Sequence, residues 1–258
     1  MTLFILYFLL LIFPSNQIDE SKTLIIFFSR AGENYNVGIV DKGNTEMIVD
    51  YITQVTKIKS FKINPETEYP INYTQTVEIA RGEKNSNARP KIKDPLTNLD
   101  NYDTILLGYP IWHSDLPNIV MTQLELLNLE GKTIYPFNTH EGSGTGNSIN
   151  DIKKLAPKAV VKSGFALRGQ NARKEEYRTE IEKWLKEDLE LQINQNIPDS
   201  ISSTQPGSPK EPDNTTQPNS TTPNNSTEDE EINRIPPRNN NCNIINISIF
   251  LLILILII

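Results

Sequence analysis

Cysteine is almost absent: the chain of 258 residues has one, Cys242. No disulfide framework can therefore hold it, and its core has to be hydrophobic. Histidine is nearly as scarce, with only His113 and His140, so too few nitrogen and thiolate ligands exist for a Cys/His metal site. An excess of basic charge is also missing. Against 32 Asp and Glu stand 25 Lys and Arg, a net −7, which argues against nucleic acid or anionic lipid as the main partner. Hydrophobic residues make up 37%, enough for one ordinary globular domain with flanking segments and too few for two large ones.

What is present is sharply segmented. Residues 3–13, LFILYFLLLIF, have the length of a signal-peptide apolar stretch and are short for a bilayer span. Residues 1–20 thus read as a secretory signal, with an uncleaved anchor as the alternative. Residues 244–258, IINISIFLLILILII, are almost wholly aliphatic and read as a membrane anchor or as a signal exchanged for a lipid anchor. Between the globular part and that tail, residues 193–243 are dominated by Asn, Thr, Ser and Pro, with an acidic run at 228–231. Such a segment cannot bury enough apolar surface to offset its ordering entropy and reads as a disordered stalk. It carries glycosylation acceptor patterns at Asn214, Asn219, Asn224 and Asn225, and another stands at Asn72 in the globular part. Signal, stalk and tail share one expectation: a glycoprotein of the secretory pathway, attached to the membrane through its tail and displayed at the cell surface.

The remaining domain, residues 21–192, alternates buried runs with amphipathic ones. TLIIFF (23–28) is too short for a helix and lacks alternation, so it reads as a strand buried on both faces. Met47, Ile48, Tyr51, Ile52 and Val55 then recur at helical spacing. IKSFKI (58–63) alternates like a sheet-edge strand, and TILLGYPI (104–111), TIYPFN (133–138) and AVVKSGFAL (159–167) read as further strands. Helices are expected at 116–127, 148–155 and 173–191, the last with Trp184 in the core. Five strands joined by crossover helices predict an α/β fold with a parallel sheet covered on both faces. In such sheets ligands sit beyond the carboxyl ends of the strands, which places any chemistry in the loops after strands one, three and four.

The first of these loops contains Gly38, four residues, then Gly43, Asn44 and Thr45, the spacing of a nucleoside-triphosphate loop with Asn where its lysine belongs. Asn44 cannot neutralise outer phosphates, and a true loop of that kind follows its strand directly. What survives is an anion site at a helix N-terminus, where Ser29, Thr45 and backbone N–H groups can hold a single phosphate. The second loop presents Trp112 after Pro110, either as a ligand contact or as a half-buried aromatic. The third, GSGTG, fails the dinucleotide fingerprint at Asn147. It also fails the nucleophile-elbow pattern, because Glu141 and Thr145 flank Ser143 two residues away on either side. A monophosphate site, an aromatic and a glycine-rich turn together describe a cradle for flavin mononucleotide (FMN).

Four stretches carry a resemblance: FSRAGEN (28–34), GNTE (43–46), GYPIWH (108–113) and THEGSG (139–144). With them, residues 23–190 resemble the flavodoxin family, in its bacterial-type branch. The resemblance implies a flavodoxin-like, doubly wound five-stranded parallel sheet of order 2-1-3-4-5. It further implies FMN held at its phosphate by Ser29, Arg30, Asn44 and Thr45. Pro110, Ile111 and Trp112 would lie along the isoalloxazine, with Thr139, His140, Glu141, Gly142 and Ser143 at its other rim and Gly144 completing the turn. His113 stands where a second Trp is common, and both histidines read either as solvated loop residues or as flavin contacts that sense pH. The implied function is electron transfer to a redox protein or a small-molecule acceptor. An FMN-dependent reductase fed by a nicotinamide nucleotide and acting on quinones is the alternative, as is a binding module that has lost flavin.

Overall fold

The computed structural model describes residues 18–191 and residue 193. The apolar stretch of the expected signal, the tail, and the stalk from residue 194 with its four acceptor asparagines lie outside them.

The first strand, β1 (Thr23–Phe27), is buried at every residue. Leu24 and Ile26 face one apolar cluster, and Ile25 and Phe27 face the other. A short hairpin follows, of β2 (Gly32–Asn34) and β3 (Gly38–Val40). Helix α1 (Asn44–Thr56) leads to β4 (Lys59–Lys62). A two-stranded ribbon, β5 (Asn64–Pro65) with β6 (Ile92–Lys93), brackets helix α2 (Tyr73–Ser86). Then come β7 (Thr104–Pro110), α3 (Asn118–Glu125), β8 (Thr133–His140), α4 (Ser148–Leu155), β9 (Val160–Val161), β10 (Phe165–Arg168) and α5 (Arg178–Glu187).

The main sheet runs β4-β1-β7-β8-β10, with β9 also on β8, and every pairing is parallel. Counted along the chain this is the expected order 2-1-3-4-5. One core packs Leu116, Ile119, Val120 and Leu124 of the α3 region and Ile152 of α4 against the sheet. The other packs Ile48, Ile52 and Val55 of α1 and Ile181, Trp184 and Leu185 of α5 against its opposite face. Trp184 lies between the rings of Phe137 and Phe165.

Three expectations are corrected. The strand expected over 159–167 is two pieces, β9 and β10. Ile134 accepts a hydrogen bond from Lys162 N–H, so alternate residues of β8 direct their backbone groups to this side; Pro136, two residues on, has no N–H to offer there, and the ladder breaks. The last helix starts at Arg178 rather than 173, after two single-turn 3-10 segments, Asn171–Arg173 and Glu175–Tyr177. Helix α2 was not anticipated because it buries only Thr76 and Ala80, too few apolar positions to give a helical period. Among the described residues no helix is long and apolar enough to cross a membrane.

Candidate functional site

Loops at the carboxyl ends of β1, β7 and β8 converge on a cavity of about 320 Å³. From the first loop Ser29, Arg30, Asn44 and Thr45 line it. The residue that caps the start of helix α1, Gly43, has no side chain with which to do so; Ser29 Oγ instead accepts from Glu46 N–H at 3.0 Å. Only glycine fits at position 43, because a Cβ there would collide with Ser29 Oγ and the Arg30 carbonyl. The backbone N–H groups of Asn44 and Thr45 have no acceptor among the described residues, although both residues are buried. Thr45 Oγ1 bonds Thr139 Oγ1 at 2.8 Å, joining the first loop to the third. Arg30 is in the wall, but its guanidinium donates to the carbonyls of Glu33, Pro70 and Ile71.

From the second loop come Pro110, Ile111, Trp112 and His113. Ile111 N–H donates to the Thr139 carbonyl at 2.8 Å. Trp112 and Asp115 pair through their backbones across His113 and Ser114, at φ 51° and 66°. Two successive left-handed residues define a tight type I′ turn, unusual without Asn or Gly. Helix α2 holds this turn: Lys84 pairs with Asp115 at 2.7 Å and donates to the His113 carbonyl at 2.9 Å, and His113 Nε2 donates to the Val77 carbonyl at 2.9 Å. The indole of Trp112 stands edge-on to Phe28 (5.3 Å, 88°) and to Tyr69 (4.9 Å, 85°), which fixes its plane. Tyr69 in turn donates to the Glu83 carboxylate at 3.0 Å, and burial pushes its pKa up.

The third loop supplies Thr139, His140 and Glu141. His140 Nδ1 accepts from Gly142 N–H at 2.9 Å, which leaves the neutral ring's proton on Nε2. Burial, aided by Arg168, holds this imidazole below its ordinary pKa, and burial raises that of Glu141. Gly142, Ser143 and Gly144 do not line the cavity; they form the turn beyond it, held by Asn138, whose Nδ2 donates to the Gly144 carbonyl at 2.9 Å. Farther along, Gly146 at φ 52° packs on the second loop so closely that a Cβ would strike the Ser114 carbonyl.

One wall escaped motif reading. Tyr73, Thr76, Val77, Ala80 and Arg81 of α2, with Asn34 and Tyr35 of the hairpin, complete the lining. Tyr35 is 52% exposed at the mouth, its ring 5.8 Å from that of Tyr73. A signal was there to be found: Asn72-Tyr-Thr-Gln75, read as a glycosylation acceptor, is also a helix-capping pattern. Asn72 is exposed, and its Oδ1 accepts from Gln75 N–H at 3.0 Å. Among the described residues no group of His, Cys, Asp and Glu could hold a metal ion.

A family model described as Flavodoxin matches residues 35–188. Among solved structures, a candidate flavoprotein from Bacteroides eggerthii DSM 20697 is 28% identical over 67% of this chain and 99% of its own, with a TM-score of 0.51. A second, from Bacteroides uniformis ATCC 8492, is 25% identical over 64% of this chain and 98% of its own, with a TM-score of 0.50. A flavoprotein from Lactobacillus acidophilus NCFM, solved in complex with FMN, is 23% identical over 64% and 98%, with a TM-score of 0.45. No curated protein matches the chain.

Proposed function

The chain belongs to the flavodoxin family, the match spanning residues 35–188, and on that premise we propose that it is an FMN-binding electron carrier. The observation that carries this reading is the pair of backbone amides of the buried residues Asn44 and Thr45, left without acceptors among the described residues in a cavity wall that also holds the hydroxyls of Ser29 and Thr45. Free N–H groups at the start of a 13-residue helix favour a phosphate, through hydrogen bonds and the helix dipole together. The rest of the cavity suits a flat ring. Pro110, Ile111 and Trp112 give it an apolar side, and the edge-on packing behind Trp112 keeps that indole in place. His140, neutral and protonated on Nε2, offers a hydrogen-bond donor that carries no charge. Tyr35 and Tyr73, their rings 5.8 Å apart, add two aromatic faces to the lining.

FMN, when bound, supplies the redox chemistry, while the protein sets access and potential. The chain shows no nicotinamide-binding fingerprint, so the carrier is preferred to the reductase. Anaerobic mixing of the FMN-loaded chain with dithionite should bleach the flavin, and air should restore it, whereas NADH and NADPH should act slowly or not at all. Rapid bleaching by either nucleotide would make the protein a reductase instead.

The apolar ends and the sequons outside the described residues support a further part of the reading, display of this domain outside the cell on a glycosylated stalk. Full-length chain should then fractionate with membranes, and a version ending at Asn194 should be secreted. Unglycosylated full-length protein in the cytosol would contradict it.

A further inference from the structure

A residue outside every recognised motif reaches the phosphate loop. Arg173 ends the 3-10 turn Asn171–Arg173 that follows β10, 129 residues along the chain from Asn44. Its Nε donates to Asn44 Oδ1 at 2.9 Å, and its Nη2 donates to the Lys42 carbonyl. A guanidinium has five N–H donors; two are used here, both on uncharged acceptors. No carboxylate pairs with it among the described residues, and burial holds its pKa down with no neighbouring anion acting in the opposite sense.

Three other cations around the start of α1 are engaged. Lys42 pairs with Asp50 at 2.6 Å, Lys62 with Glu46 at 2.8 Å, and the Arg30 fork is filled by three backbone carbonyls. A half-buried cation without a counter-charge is costly unless an anion completes it. Asn44 is confined from its other side too, since a Cβ on Gly169 would collide with its Nδ2 and come against Glu141 Oε1. Glu141 is the one carboxylate among the lining residues.

We propose that Arg173 is a positioning residue for the phosphate of FMN: it locks the Asn44 side chain at the start of α1 and supplies, from one side chain behind the cavity wall, the positive charge that a phosphate dianion requires. It thereby sets the preference for FMN over riboflavin, the same ring system without the phosphate. This inference rests on the FMN reading above.

The test uses the full chain and compares wild type, Arg173→Gln and Arg173→Lys. FMN and riboflavin affinities are measured by flavin fluorescence at about 20 and about 500 mM salt, where screening lengths differ severalfold. Arg173→Gln should weaken FMN about tenfold at low salt, as expected of a charge several ångströms away in a half-buried setting. Riboflavin binding should change less than about twofold, and the salt dependence of FMN binding should flatten. Arg173→Lys should restore the salt dependence and only part of the affinity, because lysine lacks the fork that grips Asn44 and Lys42. Should Arg173→Gln fail to fold, Arg173→Lys and the salt dependence of the wild type decide. A wild type whose FMN affinity ignores salt, or an Arg173→Gln chain that loses FMN and riboflavin equally, would reduce Arg173 to a structural staple. A wild type that binds FMN with Arg173→Gln unchanged would overturn this inference alone; one that binds neither flavin overturns the FMN reading and this with it.

Discussion

At Trp112 position and chemistry coincide: the residue follows a central strand, lines the cavity, and is held edge-on by Phe28 and Tyr69. Stacking contributes about 0.5–1.5 kcal/mol beyond burial, so Trp112→Ala should weaken oxidised FMN roughly two- to tenfold. An electron-rich indole against the flavin would interact less favourably with the more negative reduced ring, so the mutant's reduction potential should rise. Unchanged affinity, potential and flavin fluorescence would show that the indole does not meet the ring. His140 makes a different prediction. Its pKa is depressed by burial in the folded chain, so near neutrality the unfolded state binds more protons and stability falls as pH is lowered from about 7 to about 5.5. Glu141 and Glu83, both raised by burial, act with the opposite sign at lower pH, so the informative quantity is the difference between two proteins. Melting temperatures of the flavin-free chain should fall less over this range in His140→Gln than in wild type; parallel curves would remove His140 from the account. Ser29 and Trp112 were legible because each closely follows a strand readable from its apolar run, and Thr45 because it opens a helix readable from its period. Arg173 was not, since no local pattern reveals a side chain that meets its partner 129 positions away.

Among the elements, α2 combines the weakest sequence signal with a large share of the cavity wall. Asn72 caps it and also reaches Glu33 of the hairpin at 3.2 Å, while Glu33 accepts from Tyr73 N–H at 2.8 Å. Asn72→Ala should cost about 1 kcal/mol and loosen the hairpin together with the first turn of α2. Hydrogen exchange should accelerate at Gln75 and Thr76 and at Glu33, whose N–H donates to the Ile71 carbonyl, with little change in β7 or β8. Uniform exchange across the chain would mean that the cap does not stabilise the wall. The strands were readable because they are short aliphatic runs bounded by loops. The hairpin and the β5–β6 ribbon were not, because two- and three-residue strands have no period to detect, and α2 faces solvent on most of its surface. The break between β9 and β10 turns on Pro136, visible in the sequence but meaningful only once its neighbouring strand is known.

Across the described domain, two apolar layers hold a parallel sheet whose carboxyl end opens three loops onto one cavity. Alternating runs and crossovers were enough to predict the α/β class; the strand order followed from the family resemblance, and the pairings bear it out. Phosphate recognition at the start of α1 is the claim on which the functional account stands. Titrating the flavin-free full chain with FMN and, separately, with riboflavin tests it most directly. The account predicts saturation at one FMN per chain, quenched flavin fluorescence, and riboflavin bound at least about tenfold more weakly, the worth of one or two charge-assisted hydrogen bonds. Equal affinity for the two flavins, or no saturable binding of FMN, would contradict it.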